Sequence, residues 1–524
     1  MTQRAKEKAC LSALFAGLFV LFAFLPSLGG HLFGSPDEVQ YAEVAKQIAI
    51  DHRAFVPDAV VGAFPWLHPR SWVALGDRIA PVGFLGWPFV LSFFYHFGGT
   101  GILPWVGMLI VLSSAWPFFL LLRRFGFWPA WIGTLVAFTF PGIILFANRS
   151  LFPNLPLLAL SVWMVWLLER FEHRFVKHWW MYGALAFAGT LILSFRPIEA
   201  VWILPWWVFA ARHLRPKRND WIAAAVGFLL VIGTLGWFAN GAYGSWFGIG
   251  YGRGDQITAR TAVVPVASAA AQASVGSSVW FLPYGLHPVT FVWNIFHYFG
   301  WLLLPWVLMI AGALYFFVKR HHWRVWHKGD ARYVLLAAWT LVVLCVIYGS
   351  GSYVDRFGPR VATIANSFVR YFLPVGLFAG WAAATLSRDL MRVLRFRTFV
   401  IAGVVVLAFL GIIRGFTSDE GVIALRRELI RYAHIQTAAS GWFKSGDLIL
   451  SDRSDKVFFP AFHAVSPVPP LDLVRVFVRS GSSIGLFARP LTQEQKDTWR
   501  KAGLQVQELK GFGRETLYRV FTSS

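Results

Sequence analysis

The sequence predicts an α-helical multi-pass membrane protein of about eleven spans, with interfacial helices outside the membrane and a small C-terminal α/β domain. Three observations carry this expectation. The 524 residues are 57% hydrophobic and only 14% charged, with mean hydropathy +0.56. Uncharged runs of roughly 18 residues recur, each long enough for a hydrocarbon core about 30 Å thick. Lys and Arg fall in short clusters between those runs.

The formal charge of +22 raises nucleic acid as a partner. The clustering argues against it, because basic clusters between apolar runs are how cytoplasmic loops look under the positive-inside rule. The charge is therefore read as topology with some contact to anionic membrane lipids, and no nucleic acid is expected. Cys10 and Cys345 sit in separate apolar runs, so no disulfide is expected. MTQRAKEK followed by an apolar run imitates a signal peptide, yet no small-residue cleavage site follows, and the first span is read as retained.

The first span is expected at 10–29, with RAKEK cytoplasmic and residues 30–99 forming the first external loop. The tail of that loop, PVGFLGWPFVLSFFYHF, is short and broken by Gly and Pro, and is read as an interfacial or re-entrant piece. Spans follow near 100–122, 128–147, 153–168, 179–196, 197–211, 221–239, 291–318, 332–348, 370–387 and 398–413. With this count every strongly basic cluster lands on the cytoplasmic side; making the tail a full span would invert them all. TAVVPVASAAAQASVGSS reads as a small-residue loop.

This divides the chain into a membrane module at 1–417 and an external domain at 418–524. In the latter, ALRRELIRYAHI and TQEQKDTWRKAG read as helices, and LILS, VRVFVRS, IGLFA and TLYRVF as strands.

The first loop holds GSPDEVQY, residues 34–41. Ser35 as N-cap, Pro36 at the first helical position and Glu38 three residues after the cap make a capping box. Tyr41, Val44, Ala45, Ile48 and Ala49 continue the pattern of an amphipathic surface helix. Capping accounts for Ser35, Pro36 and Glu38 but leaves Asp37. A carboxylate near a bilayer is costly, up to roughly 2.5–3.5 kcal/mol at its centre, and so marks a functional candidate.

One span followed by DExxYAEVAKxI resembles the first external loop of the GT-C glycosyltransferases, and within them family 39, the protein O-mannosyltransferases and lipid A aminoarabinose transferases. LGDRIAPVGFLGWP is similar to the family's acidic–basic pair before a proline that opens a second interfacial helix, here Asp77, Arg78 and Pro81. ANRSLFPNLPLLAL is similar to a short external turn that often carries a second acid; this chain has Asn154 there, which can neither serve as a carboxylate base nor bind metal strongly. NSFVRYFLPVGLFAG, with Arg370, Tyr371 and Pro374, is similar to the RYxLP segment opening a late span.

The resemblance implies a GT-C bundle in the cytoplasmic (inner) membrane, with the N-terminus cytoplasmic and the catalytic loop and C-terminal domain external. It implies sugar transfer from a polyprenyl-phosphate donor to an acceptor hydroxyl of a glycan, lipid or protein, with inversion. Asp37 would be the general base, and Glu38 would orient the helix or help bind a metal or the acceptor. A stable phosphate leaving group needs cations more than a general acid. Arg370 with Tyr371 is the first choice, set against an interfacial anchor in which both simply snorkel. Arg78 has similar standing; Arg196, with Glu199 one turn on, is weaker. Asp77, Asn154 and His287 belong to the expected acceptor or metal surroundings, His287 being equally a hydrogen-bonded structural residue. The cofactor is left open, a divalent cation being compatible. His321, His322 and His327 fall among cytoplasmic basic residues and are read as membrane-surface contacts.

Two readings from other classes compete. A lipid or glycan transporter would suit the basic residues and the many spans, but the sequence shows neither an internal repeat nor mid-membrane charges. A non-catalytic scaffold of the same fold has Asn154 in its favour.

Overall fold

The computed structural model describes residues 2–29, 32–174, 178–250, 284–321, 329–355, 358–359, 362–391, 394–479 and 483–522. The small-residue loop TAVVPVASAAAQASVGSS lies outside them, as do His322 and His327. The chain forms two compact units. One comprises Met1–Gly29, Pro104–Ile232 and Gly276–Leu425; the other comprises Gly30–Leu103, Gly233–Val275 and Arg426–Ser524. The first external loop and the C-terminal segment thus share a unit.

The first unit is helical, and each of the eleven expected spans lies largely on helix, although the first helix ends at Phe22, short of residue 29, and the helix at 179–196 ends at Leu193. Among the described residues, three helices are long and apolar enough to cross a membrane, or up to six when bent pairs are counted as one span each. The bent pairs are Phe127–Phe138 with Pro141–Asn148 (62°), Trp179–Leu193 with Pro197–Ala211 (115°), and Pro288–Leu302 with Leu304–Phe316 (89°). Large apolar side chains point outward, including Leu229 (61% exposed), Phe399 (75%) and Phe409 (61%), as expected where the solvent is lipid. Inside, Gly133 and Gly380 face each other on Phe127–Phe138 and Pro374–Leu390, and a Cβ on either would strike the other's carbonyl oxygen. Small residues at helix crossings allow this approach. Asn148 secures the end of the first helix: its amide donates to Leu21 O (2.9 Å) and its Oδ1 accepts Leu25 N–H (2.9 Å).

The long helix Gly86–Leu122 covers both the expected interfacial tail and the second span. At 1.5 Å per residue it would run about 55 Å, far more than one crossing needs. It is broken at Gly98 and Gly99, and Gly99 takes φ 59°, a left-handed conformation suited to glycine.

The second unit holds a five-stranded sheet in the order His463–Val465, Leu448–Ser451, Ile484–Ala488, Glu515–Thr522, Leu504–Phe512. The first three strands are parallel and the last two antiparallel. LILS and IGLFA are buried at every position, as central strands covered on both faces must be. TQEQKDTWRKAG forms the helix Gln493–Lys501, opened by a capping box between Thr492 and Gln495.

Three expectations need correction here. VRVFVRS is not a strand: Leu471–Arg479 is a helix that buries Val474 and Phe477, three apart, and leaves Val476 54% exposed. Val–Arg alternation fits either period when the run is this short. Pro81 does not open a helix; it ends the strand Arg78–Pro81, which lies between Val56–Pro57 and Trp72–Ala74, and the helix starts at Gly86. The helix Pro36–Asp51 is not a surface helix, because its polar residues Glu38, Gln40, Glu43 and Gln47 are as buried as its apolar ones.

Candidate functional site

Within the second unit, Asp37 stands in the first turn of Pro36–Asp51. Ser35 is the N-cap and its hydroxyl accepts the Asp37 N–H at 3.2 Å. Pro36 presets the first helical φ. Glu38, the other half of the expected box, is 3% exposed. A carboxylate here is favoured by the helix N-terminus.

Ser71 donates its hydroxyl to Asp37 Oδ1 across 2.6 Å. Its φ of 65° is left-handed, one of two such non-glycine residues among those described, the other being His52. Such backbone is held only where its surroundings insist on it. Gln40 supplies one constraint: its amide donates to Ser71 O (2.9 Å) while its carbonyl accepts Gly83 N–H (3.3 Å). Further along the same helix, Glu43 accepts from Lys46 (3.1 Å) and Gln47 (2.9 Å). The polar face is thus wired internally.

Asp77 and Arg78 are adjacent in the same unit. The Arg78 Nε donates to Asp77 Oδ1 (3.2 Å), its Nη1 to Gly241 O (2.7 Å), and its guanidinium lies 4.7 Å from the Phe55 ring centre. Asp77 is 75% exposed. Arg78 is thus engaged in holding its own surroundings together.

The first unit gathers Arg196, Arg370 and Tyr371. Arg370 and Tyr371 come from the short helix Ser367–Tyr371, started by Asn366, whose side chain accepts Phe368 N–H at 2.8 Å. Arg196 precedes the turn Pro197–Glu199. Arg196 lies 4.8 Å and Arg370 5.3 Å from the Tyr371 ring centre, and Arg370 Nη2 donates to Ser367 Oγ at 3.1 Å. Arg370 also stands 4.3 Å from the Phe152 ring centre, with Arg149 over the same ring at 4.7 Å. Three guanidiniums therefore meet around two aromatic rings.

Glu199, 3% exposed, anchors this cluster. Its Oε1 accepts from Arg196 Nε (3.1 Å) and from the Tyr348 hydroxyl (2.6 Å), and its Oε2 from Trp202 Nε1 (2.5 Å). Tyr348 stacks on Tyr371 at 4.0 Å and 12°. Tyr284 reaches Tyr371 hydroxyl to hydroxyl at 3.2 Å, and Tyr353 donates to Tyr348 O at 2.8 Å. Four of the fourteen tyrosines are in one place.

Trp202 also lines an apolar cavity of about 200 Å³ in the same unit, with Phe118, Leu158, Ile203, Leu341 and Trp381. Asn154 begins the helix Asn154–Arg174; it is buried, and its Oδ1 has no hydrogen-bond partner among the described residues. His287 caps Pro288–Asn294, exposed, its N–H donating to Ser350 Oγ (3.1 Å). Among the described residues no three His, Cys, Asp or Glu side chains come together as a metal site.

The sequence reading missed Ser71, Arg149, Tyr284, Tyr348 and Tyr353. Arg149 lies in ANRSLFPNLPLLAL and Tyr284 three residues before His287; Ser71, Tyr348 and Tyr353 carry no local signal, being brought in by tertiary packing. It also missed an ion pair in the second unit. Asp58 caps Ala59–Ala63, accepting Val60 N–H (3.0 Å) and Val61 N–H (3.3 Å), and meets His463 Nδ1 at 3.1 Å. For Asp58, burial pushes upward, but the His463 hydrogen bond and charge and the two amides outweigh it and leave its pKa below the ordinary value. The hydrogen bond to Asp58 raises the His463 pKa above 6.5 against its own burial.

Among solved structures, the chain is similar to ArnT from Cupriavidus metallidurans, crystallised in the apo state. The identity is 13%, the match covers 97% of either chain, and the TM-score is 0.50. No protein-family model and no curated protein matches the chain. At such low identity the likeness speaks to architecture: the chain is a multi-pass helical membrane protein with the GT-C fold and a small C-terminal sheet domain.

Proposed function

We propose that the chain is an inner-membrane glycosyltransferase that moves a sugar from a polyprenyl-phosphate carrier to an acceptor hydroxyl on the external face, with inversion. The acceptor oxygen bonds to the anomeric carbon as the bond from that carbon to the phosphate oxygen breaks. The hydroxyl proton passes to the Asp37 carboxylate, and the carrier leaves as a phosphate anion. Arg370 and Arg196, with Tyr371, take the part of holding that anion.

The meeting of Arg196 and Arg370 at Tyr371 is the observation that carries this reading. Guanidiniums present planar forks that match phosphate oxygens, and charge-assisted hydrogen bonds of this kind are roughly twice as strong as neutral ones. The apolar cavity reaching Trp202, which is bonded to Glu199 of the same cluster, supports an isoprenoid tail on the phosphate. Asp37 is supported as base by its seat at a helix N-terminus and by the Ser71 hydroxyl, which fixes its carboxylate. Asn154, neutral and buried, suits contact with an acceptor hydroxyl rather than with a metal. Arg78, Asp77, Glu38 and His287 receive supporting roles in the surroundings of donor and acceptor.

The assignments to Asp37 and to the arginines are separate claims, tested separately. Membranes holding the chain are incubated with labelled undecaprenyl-phosphate mannose and undecaprenyl-phosphate aminoarabinose, and label leaving the carrier is counted. Asp37→Asn is expected to lower transfer about 10²–10⁴-fold. Equal transfer by both forms removes Asp37 as base. No transfer from either carrier by wild type favours a transporter or a scaffold.

A further inference from the structure

Two consecutive residues of the C-terminal segment grip both stretches of chain that meet at Asp37. Asp455 is fully buried, and the described bonds of its carboxylate go to Arg70: its Oδ1 accepts from Nε (2.8 Å) and Nη2 (2.6 Å), and its Oδ2 from the Arg70 main-chain N–H (2.8 Å). Arg70 Nη2 also donates to the carbonyl of Arg453. Arg70 is thereby fixed in main chain and side chain together, and the next residue is Ser71, the left-handed residue bonded to Asp37. On the other side, Lys456 Nζ donates to the carbonyl of Gly34 at 2.7 Å, immediately before the N-cap Ser35. The Lys456 ammonium lies 5.1 Å from the Tyr432 ring centre, and Phe459 packs 5.4 Å from Trp72, the residue after Ser71.

We propose that Asp455 and Lys456 are positioning residues for Asp37: the first sets Ser71 through Arg70, and the second sets the start of the helix through Gly34. This rests on the reading of Asp37 as base. The partners lie 385 and 422 residues apart in sequence, so no local preference of the first loop supplies these restraints. Both Asp455 oxygens are occupied by one residue, and because this carboxylate is fully buried, taking the Arg70 donors away would leave its charge without compensation. A misplacement of about 1 Å at a reacting group can cost about 10²-fold in rate. The C-terminal segment thereby acts on the rate without touching substrate.

The test uses the full chain in proteoliposomes, with undecaprenyl-phosphate mannose and undecaprenyl-phosphate aminoarabinose as donors. Lys456→Met keeps the side-chain stem and removes the donor; Ser71→Ala removes the hydroxyl. Each is expected to lower kcat about tenfold with donor KM unchanged, and Asp455→Asn about a hundredfold. Lys456→Arg should restore most of the rate lost in Lys456→Met. Amide hydrogen exchange over residues 34–40 should quicken in Lys456→Met and Asp455→Asn, a readout that needs no substrate. Unchanged exchange there overturns the inference, as does wild-type kcat in Lys456→Met and Ser71→Ala while Asp37→Asn is inactive. Wild-type transfer by Asp37→Asn overturns instead the reading of Asp37 as base, and the inference falls with it.

Discussion

The Arg196 guanidinium lies 4.8 Å from the centre of the Tyr371 ring, on the opposite partner of a ring stack whose other member, Tyr348, shares Glu199 with it. One carboxylate, Glu199, therefore aligns both Arg196 and Tyr348. Lysine cannot reproduce the planar fork that this arrangement presents. Arg196→Lys and Arg370→Lys are each expected to raise the donor KM about tenfold, an effect of roughly 1.4 kcal/mol. Steady-state kinetics against donor concentration check this, and an unchanged KM in both would remove the arginines from donor binding.

Tyr371 separates packing from hydrogen bonding. Tyr371→Phe keeps the 4.0 Å stack on Tyr348 and loses only the hydroxyl, which meets Tyr284 at 3.2 Å and accepts from Arg370 Nη2 at 3.4 Å. Tyr371→Ala removes a buried ring, which costs about 3–5 kcal/mol where the site cannot collapse. Thermal unfolding in detergent should show a large loss of midpoint for Ala and a small one for Phe.

The Asp58–His463 pair gives the second unit a pH dependence with a definite sign. His463 is raised above 6.5, so its contribution is complete below that value and is lost as pH rises through the raised pKa. Asp58 is lowered below 3.8, so its contribution is complete above that value and is lost as pH falls through the lowered pKa. The pair therefore stabilises most between 3.8 and 6.5. With the imidazole 32% exposed, the gain is about 1 kcal/mol or less. Relative to the base-catalysed intrinsic rate, which rises with pH for every amide, hydrogen-exchange protection of residues 58–63 should fall between about pH 6 and pH 9 in wild type and stay level in His463→Gln.

Gly83 tests the floor beneath the Asp37 helix. A Cβ there would stand 2.8 Å from the Tyr41 hydroxyl and 2.9 Å from the Gln40 side-chain amide. Gly83→Ala must push Gln40 away from Ser71 or move the loop. The expected cost is about 1–3 kcal/mol in stability. Transfer should fall with it if Ser71 positions Asp37. Paired unfolding and activity measurements distinguish the two effects.

The helices were legible because a run of apolar residues long enough to cross a bilayer has few other folds available, and the eleven expected segments lie largely on helix, while three to six of the described helices or bent pairs are long and apolar enough to cross. Arg196 and Glu199 were legible as an i, i+3 pair. Arg370 and Tyr371 could be named from RYFLP, but their meeting with Arg196 depends on helices distant in sequence. Gln40, Glu43 and Gln47 misled, because a polar stripe beside an apolar one reads as a solvated face, whereas here each has partners inside the fold. Val474–Arg479 misled for another reason: six residues alternating Val with other types do not distinguish a period of 2 from one of 3.6. Ser71 had no signal at all, since its left-handed backbone is imposed by Arg70, Gln40 and Asp37 around it.

Position 71 consequently asks two things of one residue that few side chains can give together. Glycine would accept the backbone but offer nothing to Asp37; threonine would offer the hydroxyl but, being branched at Cβ, resist a φ of 65°. Asparagine tolerates that backbone and brings a donor, at a different reach. Saturation of this one codon, scored by transfer, should therefore return a very short alphabet, with serine first and asparagine its nearest substitute.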